Sequence, residues 1–100
     1  MTPTPLKPLE KRQLRAMAQR LDSMVHLGRN GLDERFLKEL NDALTRFELV
    51  KVRFVEFKDQ KKVWSPRIAE LTGSHLIARV GHVAVYYREP TDASKRRIVI

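Results

Sequence analysis

The sequence contains no cysteine among its 100 residues, which excludes disulfide bonds, thiolate metal sites and thiol nucleophiles. It also contains no run close to the roughly 18 apolar residues that a membrane-spanning helix needs. The proline-rich first eight residues are not followed by an apolar segment, so a secretory signal is not expected. These absences favour a cytoplasmic protein, and the length favours a single domain.

Acidic residues are scarce relative to basic ones. Twenty Lys and Arg face twelve Asp and Glu, which gives a net charge of +8 and a pI near 10.3. The excess is segregated, because residues 1–20 and 49–100 are basic whereas residues 32–48 are acidic. A polyanionic partner such as nucleic acid explains this pattern better than solubility alone.

The hydrophobic pattern predicts alternating helices and strands. Apolar residues at helical spacing predict helices over residues 9–21, from the N-cap Asp33 to residue 47, and over 60–72. Pro66 either kinks the third helix or begins it, with Ser65 as the cap. Strands are predicted over residues 23–27, 49–57, 75–80 and 83–88. The predicted fold is an α/β sandwich of order α-β-α-β-α-β-β, with helices against one sheet.

The flanking segments and the aromatic residues complete the structural expectations. Residues 1–8 are predicted to be a flexible leader, residues 9–90 the domain, and residues 91–100 a basic tail or a further short strand. Tyr86 and Tyr87 alternate faces in the last strand, so one of them is expected to be exposed. Four other rings fall on core stripes and are expected to pack inside: Phe36, Phe47, Phe54 and Trp64.

Gly28-Arg29-Asn30-Gly31 lies between the first predicted strand and the second predicted helix. Glycines leave the backbone amides bare, and the following helix directs its positive end at the same place, so such a loop can bind phosphate. Arg29 adds a planar cation. An ordinary tight turn is the alternative. Lys11, Arg12 and Arg15 of the first helix extend the candidate surface, and Arg88 contacts either phosphate or a carboxylate.

Catalytic chemistry has little support in the sequence. The histidines His26, His75 and His82 have no metal-ligand spacing, and no nucleophile elbow or P-loop occurs. No metal, cofactor or enzymatic activity is therefore expected.

The order of elements around the GxxG loop resembles the CRM domain, whose single-domain bacterial members are the YhbY proteins. The resemblance covers roughly residues 6 to 88. It departs from the family pattern at Lys7-Pro8, His26 and Pro66. The motifs that carry it are Lys11-Arg12 with Leu14-Arg15, His26-Leu27-Gly-Arg-Asn-Gly-Leu32, Leu49-Val50-Lys51-Val52, Leu71-Thr72-Gly73 and Gly81-His82-Val83-Ala84-Val85-Tyr86-Tyr87-Arg88.

The resemblance implies a fold like the carboxy-terminal domain of the third translation initiation factor, and binding to structured RNA. Bacterial members associate with precursors of the large ribosomal subunit. We therefore expect a monomeric RNA-binding protein that acts as a ribosome assembly factor through the loop and the basic surface. The alternative is an adaptor that binds acidic protein partners. Membrane binding by the first helix is disfavoured, because that helix has no exposed Trp or Phe to anchor it.

Overall fold

A computed structural model describes residues 5–98. Within this range the chain forms three α-helices, α1 (Pro8–Ala18), α2 (Glu34–Phe47) and α3 (Lys61–Thr72). One sheet contains β1 (Val25–Leu27), β2 (Leu49–Phe54), β3 (His75–Val80) and β4 (Val83–Tyr87). Two 3₁₀ turns occupy Lys58–Gln60 and Ala93–Lys95. The predicted element order is confirmed.

The sheet has the strand order β1-β2-β4-β3. β1 runs parallel to β2, whereas the other neighbouring strands are antiparallel. This topology brings the carboxyl ends of β1 and β2 to the same end as the β3–β4 hairpin. The backbone amide of Phe54 donates to the carbonyl of His82 over 2.8 Å, which ties β2 to the hairpin there.

Helices cover both faces of the sheet. Alternating strand residues pack on α2 and α3 on one face, among them Val52, Phe54 and Tyr86. Residues of the other set, including Val85 and Tyr87, pack on α1. Because strand side chains alternate between faces, Tyr86 and Tyr87 are both buried, on opposite sides of the sheet. The expectation that one of them is exposed is wrong.

Local chemistry explains the ends of α2. The Asp33 carboxylate accepts a hydrogen bond from the Phe36 amide over 2.9 Å, as predicted for the N-cap. The helix ends where Glu48 adopts a positive φ of 68° with ψ −47°. Phe47, predicted to be internal, is 40% exposed, because its ring lies at this surface turn with the Arg46 guanidinium 5.5 Å from the ring centroid.

α3 begins at Lys61, close to the predicted start, so the alternative in which Ser65 caps the helix and Pro66 is its first residue is wrong. The preceding 3₁₀ turn starts the helix earlier, and Pro66 lies inside the helix at an exposed position. Helical spacing over residues 60–72 predicts that Val63, Ile68 and Leu71 face inward. Ile68 is buried, but Val63 and Leu71 are 66% and 42% exposed. The helix buries Ser65 and Thr72 in their place. The Tyr86 hydroxyl donates to the Ser65 backbone carbonyl, and the Thr72 and Ser74 hydroxyls share a hydrogen bond.

The carboxy-terminal segment packs against the domain as far as Ile98. The buried Glu48 carboxylate accepts hydrogen bonds from the amides of Arg97 and Ile98. Arg96 forms an ion pair with Glu89. Ile98 packs on the hydrophobic cluster between α1 and the sheet, which includes Val85 and Tyr87. Within the described residues the segment forms a 3₁₀ turn rather than the alternative strand. Residues 1–4 of the predicted leader, and residues 99–100 of the predicted tail, lie outside the described range.

Candidate nucleic-acid interface

The GxxG loop forms a closed turn at the carboxyl end of β1. The Gly31 amide donates to the Gly28 carbonyl over 3.1 Å, while Gly28, Arg29 and Asn30 are exposed and Gly31 is buried. Gly31 has φ 65°, a left-handed conformation that glycine adopts without strain. Gly28 lacks positive φ, and a Cβ there would meet nothing within 4 Å. Neither crowding nor backbone geometry therefore requires glycine at Gly28, and its bare backbone is left open to solvent.

The loop leads directly into the amino terminus of α2. The first amides of this helix and its dipole are directed toward the loop, where they favour an anion. Asp33 is already engaged as the N-cap, and Glu34 is exposed. A shallow concavity of about 120 Å³ lies at this junction and brings His26, Arg29 and Arg35 together with Glu39. The junction therefore combines three basic side chains and open loop amides with two carboxylates, those of Asp33 and Glu39.

Further basic side chains that sequence reasoning did not assign to the site lie at the same end of the sheet. The Lys61 ammonium donates to the Gly81 carbonyl over 2.6 Å and lies 3.3 Å from Nδ1 of His82. Desolvation and the positive charges of Lys61, Lys58 and Arg53 lower the pKa of His82. The lowered pKa favours the neutral imidazole, so the positive charge of this hairpin region comes mainly from the surrounding lysines and Arg53.

An exposed basic path connects the loop with the first helix across the sheet. His26 is the register partner of Arg53, and both are exposed. Their neighbours in each strand point toward α2 and α3, so His26 and Arg53 point to the α1 side. Arg15 lines a groove on that side with Lys51 and Val83, next to the hairpin strands.

The residues predicted on the first helix do not all approach the loop. Lys11, Arg12 and Arg15 are exposed, but α1 lies on the sheet face opposite α2. Lys11 lies near His75: desolvation lowers the pKa of His75 most, and the positive charge of Lys11 is the next cause. Because His75 is at the start of β3, Lys11 is at the end of the sheet opposite the hairpin. Of these three side chains, Arg15 is the one that the structure places beside the path to the loop.

Arg88 lies away from the loop and has a structural environment. Its guanidinium makes four hydrogen bonds, to the side chain and carbonyl of Asn41, the hydroxyl of Thr45 and the carbonyl of Thr72. Burial lowers its pKa from the ordinary value. The partners are neutral oxygens, so the expected carboxylate alternative is wrong. The phosphate contact stays a prediction. It is disfavoured, because the guanidinium N–H groups of Arg88 already donate to these four oxygens.

Two negative findings apply to residues 5–98. No group of three or more His, Asp or Glu side chains there is arranged to hold a metal ion. None of the helices in that part of the chain is both long and apolar enough to cross a membrane.

Comparison with known proteins gives one consistent result. Residues 6–88 match the model of the CRS1 / YhbY (CRM) domain. An RNA-binding protein of Haemophilus influenzae is 33% identical over 91 residues, which cover 90% of this chain and 92% of the relative. A Pseudomonas aeruginosa protein named as a probable RNA-binding protein is 28% identical, with 86% and 84% of the two chains covered.

A solved structure has the same fold. It is the solution structure of a hypothetical protein from Staphylococcus aureus, described as a candidate RNA-binding protein. It superposes with a TM-score of 0.77 at 31% sequence identity, and the match covers 95% of this chain and all of the other.

Proposed function

The chain belongs to the CRS1 / YhbY (CRM) domain family, and from this premise we propose that it binds structured RNA by gripping the phosphate backbone with Gly28-Arg29-Asn30-Gly31. Its similarity to proteins named for RNA binding supports the ligand class. In this proposal the protein is a binding protein rather than an enzyme, and it requires no cofactor.

One observation carries the assignment of the loop. Gly28 is exposed, has no conformational need to be glycine, and has open space where a side chain would stand. A phosphate can approach the bare amides at this point, and the amino terminus of α2 adds favourable electrostatics. Arg29 then supplies a charged fork to a phosphate oxygen or a base edge.

The basic path extends the proposed contact beyond one phosphate. His26 and Arg53 lead from the loop across the sheet, and Arg15 continues the path on α1. Lys58 and Lys61 add charge on the hairpin side. Affinity should rest largely on phosphate contacts, so log K should fall with log salt with a slope of about −4 to −5 for roughly six contacts.

We further propose that the RNA belongs to the large ribosomal subunit during its assembly and that the protein acts as a monomer. This finer proposal follows from the resemblance to bacterial YhbY proteins. Such a role would place the protein in the cytoplasm. It predicts that the tagged protein co-sediments with precursors of the large subunit and dissociates at high salt.

The test is a binding titration against a large-subunit ribosomal RNA fragment at two salt concentrations. Gly28→Asp fills the approach to the amides and adds a repelling charge, and we expect it to weaken binding at least tenfold. Gly28→Ala adds only a methyl group and should weaken binding less. Thr91→Asp is the charge-matched control. Thr91 is exposed and lies near His75 and Tyr87, at the end of the sheet opposite the GxxG loop.

The outcomes separate the loop from general basicity. Arg15→Ala should weaken binding several-fold, and Lys11→Ala should have the smaller effect because it lies farther from the loop. If Gly28→Asp binds like Thr91→Asp, the loop is an ordinary turn. If affinity does not depend on salt, the phosphate-based mechanism is wrong, and an adaptor for acidic proteins becomes the better explanation of the basic surface.

A further inference from the structure

An aromatic pair lies directly against the GxxG loop. The rings of Phe57 and Trp64 are 4.8 Å apart between centroids, with planes inclined by 39°. A methyl group added to Gly31 would lie 3.5 Å from both rings, so the pair flanks the loop at its last residue. Phe57 comes from the turn after β2, and Trp64 comes from the first turns of α3.

The two rings have different environments. Trp64 is half-buried and packs on the core between the sheet and α2, so packing explains it. Phe57 is 36% exposed and is not part of that core. Its backbone is left-handed, with φ 54° and ψ 37°, a conformation that residues bearing a Cβ rarely adopt. The chain therefore holds an aromatic ring at the surface in an unfavourable backbone conformation, beside the proposed phosphate grip.

The charges around Phe57 suit a neutral base better than a second phosphate. Lys58 and Lys61 follow the ring, but Glu56 and Asp59 are exposed in the same turn. The two carboxylates offset the charge of the two lysines next to the ring, whereas an uncharged base gains from an aromatic face. RNA-binding proteins that read unpaired nucleotides stack them on aromatic side chains in this way.

We propose that Phe57, supported from behind by Trp64, is a stacking site for an unpaired base adjacent to the phosphate held by the Gly28–Gly31 loop. The inference rests on the proposed function, because the loop supplies the phosphate contact that places the nucleotide. It adds a class of RNA feature, namely nucleotides in loops or bulges rather than a continuous duplex.

The test compares two RNA hairpins that differ only in their single-stranded loop. One carries uridines, and the other carries abasic sites with the same phosphates. Phe57→Ala should lose about 5- to 100-fold in affinity for the uridine hairpin and bind the abasic hairpin like the native chain. Phe57→Tyr keeps an aromatic face and should bind both RNAs like the native chain.

Two controls guard against indirect effects. Phe47→Ala removes a ring of similar exposure at the far end of α2, and we expect unchanged binding. Phe57→Leu keeps an apolar cover over Trp64 without an aromatic face, and should lose affinity like Phe57→Ala while remaining folded. Trp64 is the single tryptophan, so its fluorescence should be quenched by the uridine hairpin and not by the abasic one.

The outcomes distinguish the two proposals. If Phe57→Leu and Phe57→Ala bind both hairpins like the native chain while Gly28→Asp loses both, the stacking site is wrong and the loop grip stands. If Gly28→Asp has no effect but Phe57→Leu discriminates between the hairpins, the stacking site stands without the grip. Failure of the native chain to bind either hairpin overturns both.

Discussion

Replacing Arg88 by alanine should destabilise the fold and leave RNA affinity intact. The guanidinium joins three parts of the structure, since Arg88 at the end of β4 donates to Asn41 and Thr45 of α2 and to the last turn of α3. The four bonds range from 2.6 to 2.9 Å. Truncation would break all four and leave the Thr72 carbonyl and the Asn41 side chain without this donor.

The expected magnitude follows from the number of bonds and their partial exposure. Hydrogen bonds to a charged group contribute about 1.5–3 kcal/mol each, but water can replace some of them because Arg88 is half-buried. We expect a total loss of about 2–4 kcal/mol in the free energy of unfolding. For a domain of this size, that loss lowers the Tm by roughly 10–25 °C. Arg88→Lys keeps the charge but loses the planar fork, so it should recover about half.

The assay is urea unfolding followed by circular dichroism, with RNA affinity measured at a temperature where every variant is folded. Arg67→Ala is the matched control, because its pair with Glu70 is exposed and contributes well under 1 kcal/mol. If Arg88→Ala is no less stable than Arg67→Ala, the structural role is refuted. If it is equally stable and loses RNA affinity tenfold, Arg88 is the phosphate contact that the sequence predicts.

Three further predictions concern the loop, the core and the carboxy-terminal segment. Gly31→Ala should lower the free energy of unfolding by about 1–2 kcal/mol, because φ is positive at Gly31. Gly28→Ala should change it by less than about 0.5 kcal/mol, because Gly28 has neither positive φ nor close neighbours. Thermal melts measure both effects, and equal effects would contradict the backbone conformation at Gly31. Burial raises the pKa of Tyr86. The buried neutral hydroxyl therefore contributes its full share to the free energy of unfolding below pH about 10, and this contribution is lost as the pH rises further. Tyr86→Phe should therefore flatten the alkaline fall in Tm, and an unchanged fall would place the titration elsewhere. Glu48→Ala removes the acceptor for the amides of Arg97 and Ile98. Limited proteolysis near Arg97 should therefore become several-fold faster. An unchanged rate would mean that the Glu48 carboxylate does not hold the carboxy-terminal segment in place.

Local patterns predict much of this fold because they act within single elements. The alternation in residues 49–57 correctly separates inward Val52 from outward Arg53, since neighbouring strand side chains point to opposite faces. Asp33 as N-cap also depends only on residues three positions apart. Such signals predict the helices, the strands and the position of the GxxG loop.

Patterns within one element do not determine which face of the sheet a helix covers. The apolar stripe of the first helix shows that it packs, but not that it packs opposite the other two helices. This placement buries Tyr87 beneath α1 and moves Lys11 away from the loop. Likewise, Phe57 and Trp64 lie seven positions apart across an irregular turn, so their pairing against Gly31 follows from tertiary contacts alone.

The two ends of the sheet differ in how their polar groups are used. At the start of β2, the buried Glu48 carboxylate accepts from two backbone amides, and the Arg88 guanidinium donates to two carbonyls and two side-chain oxygens. The Arg88 amide also donates to the Glu48 carbonyl over 2.9 Å. At the carboxyl end of β1, the loop backbone at Gly28 is open and Arg29 is exposed. Groups that are satisfied internally stabilise the fold, whereas exposed amides and cations are available to a ligand. Variants at the first end should therefore lower the Tm at constant affinity, and Gly28 variants should lower affinity at constant Tm, because the body of the sheet separates the two sets of contacts.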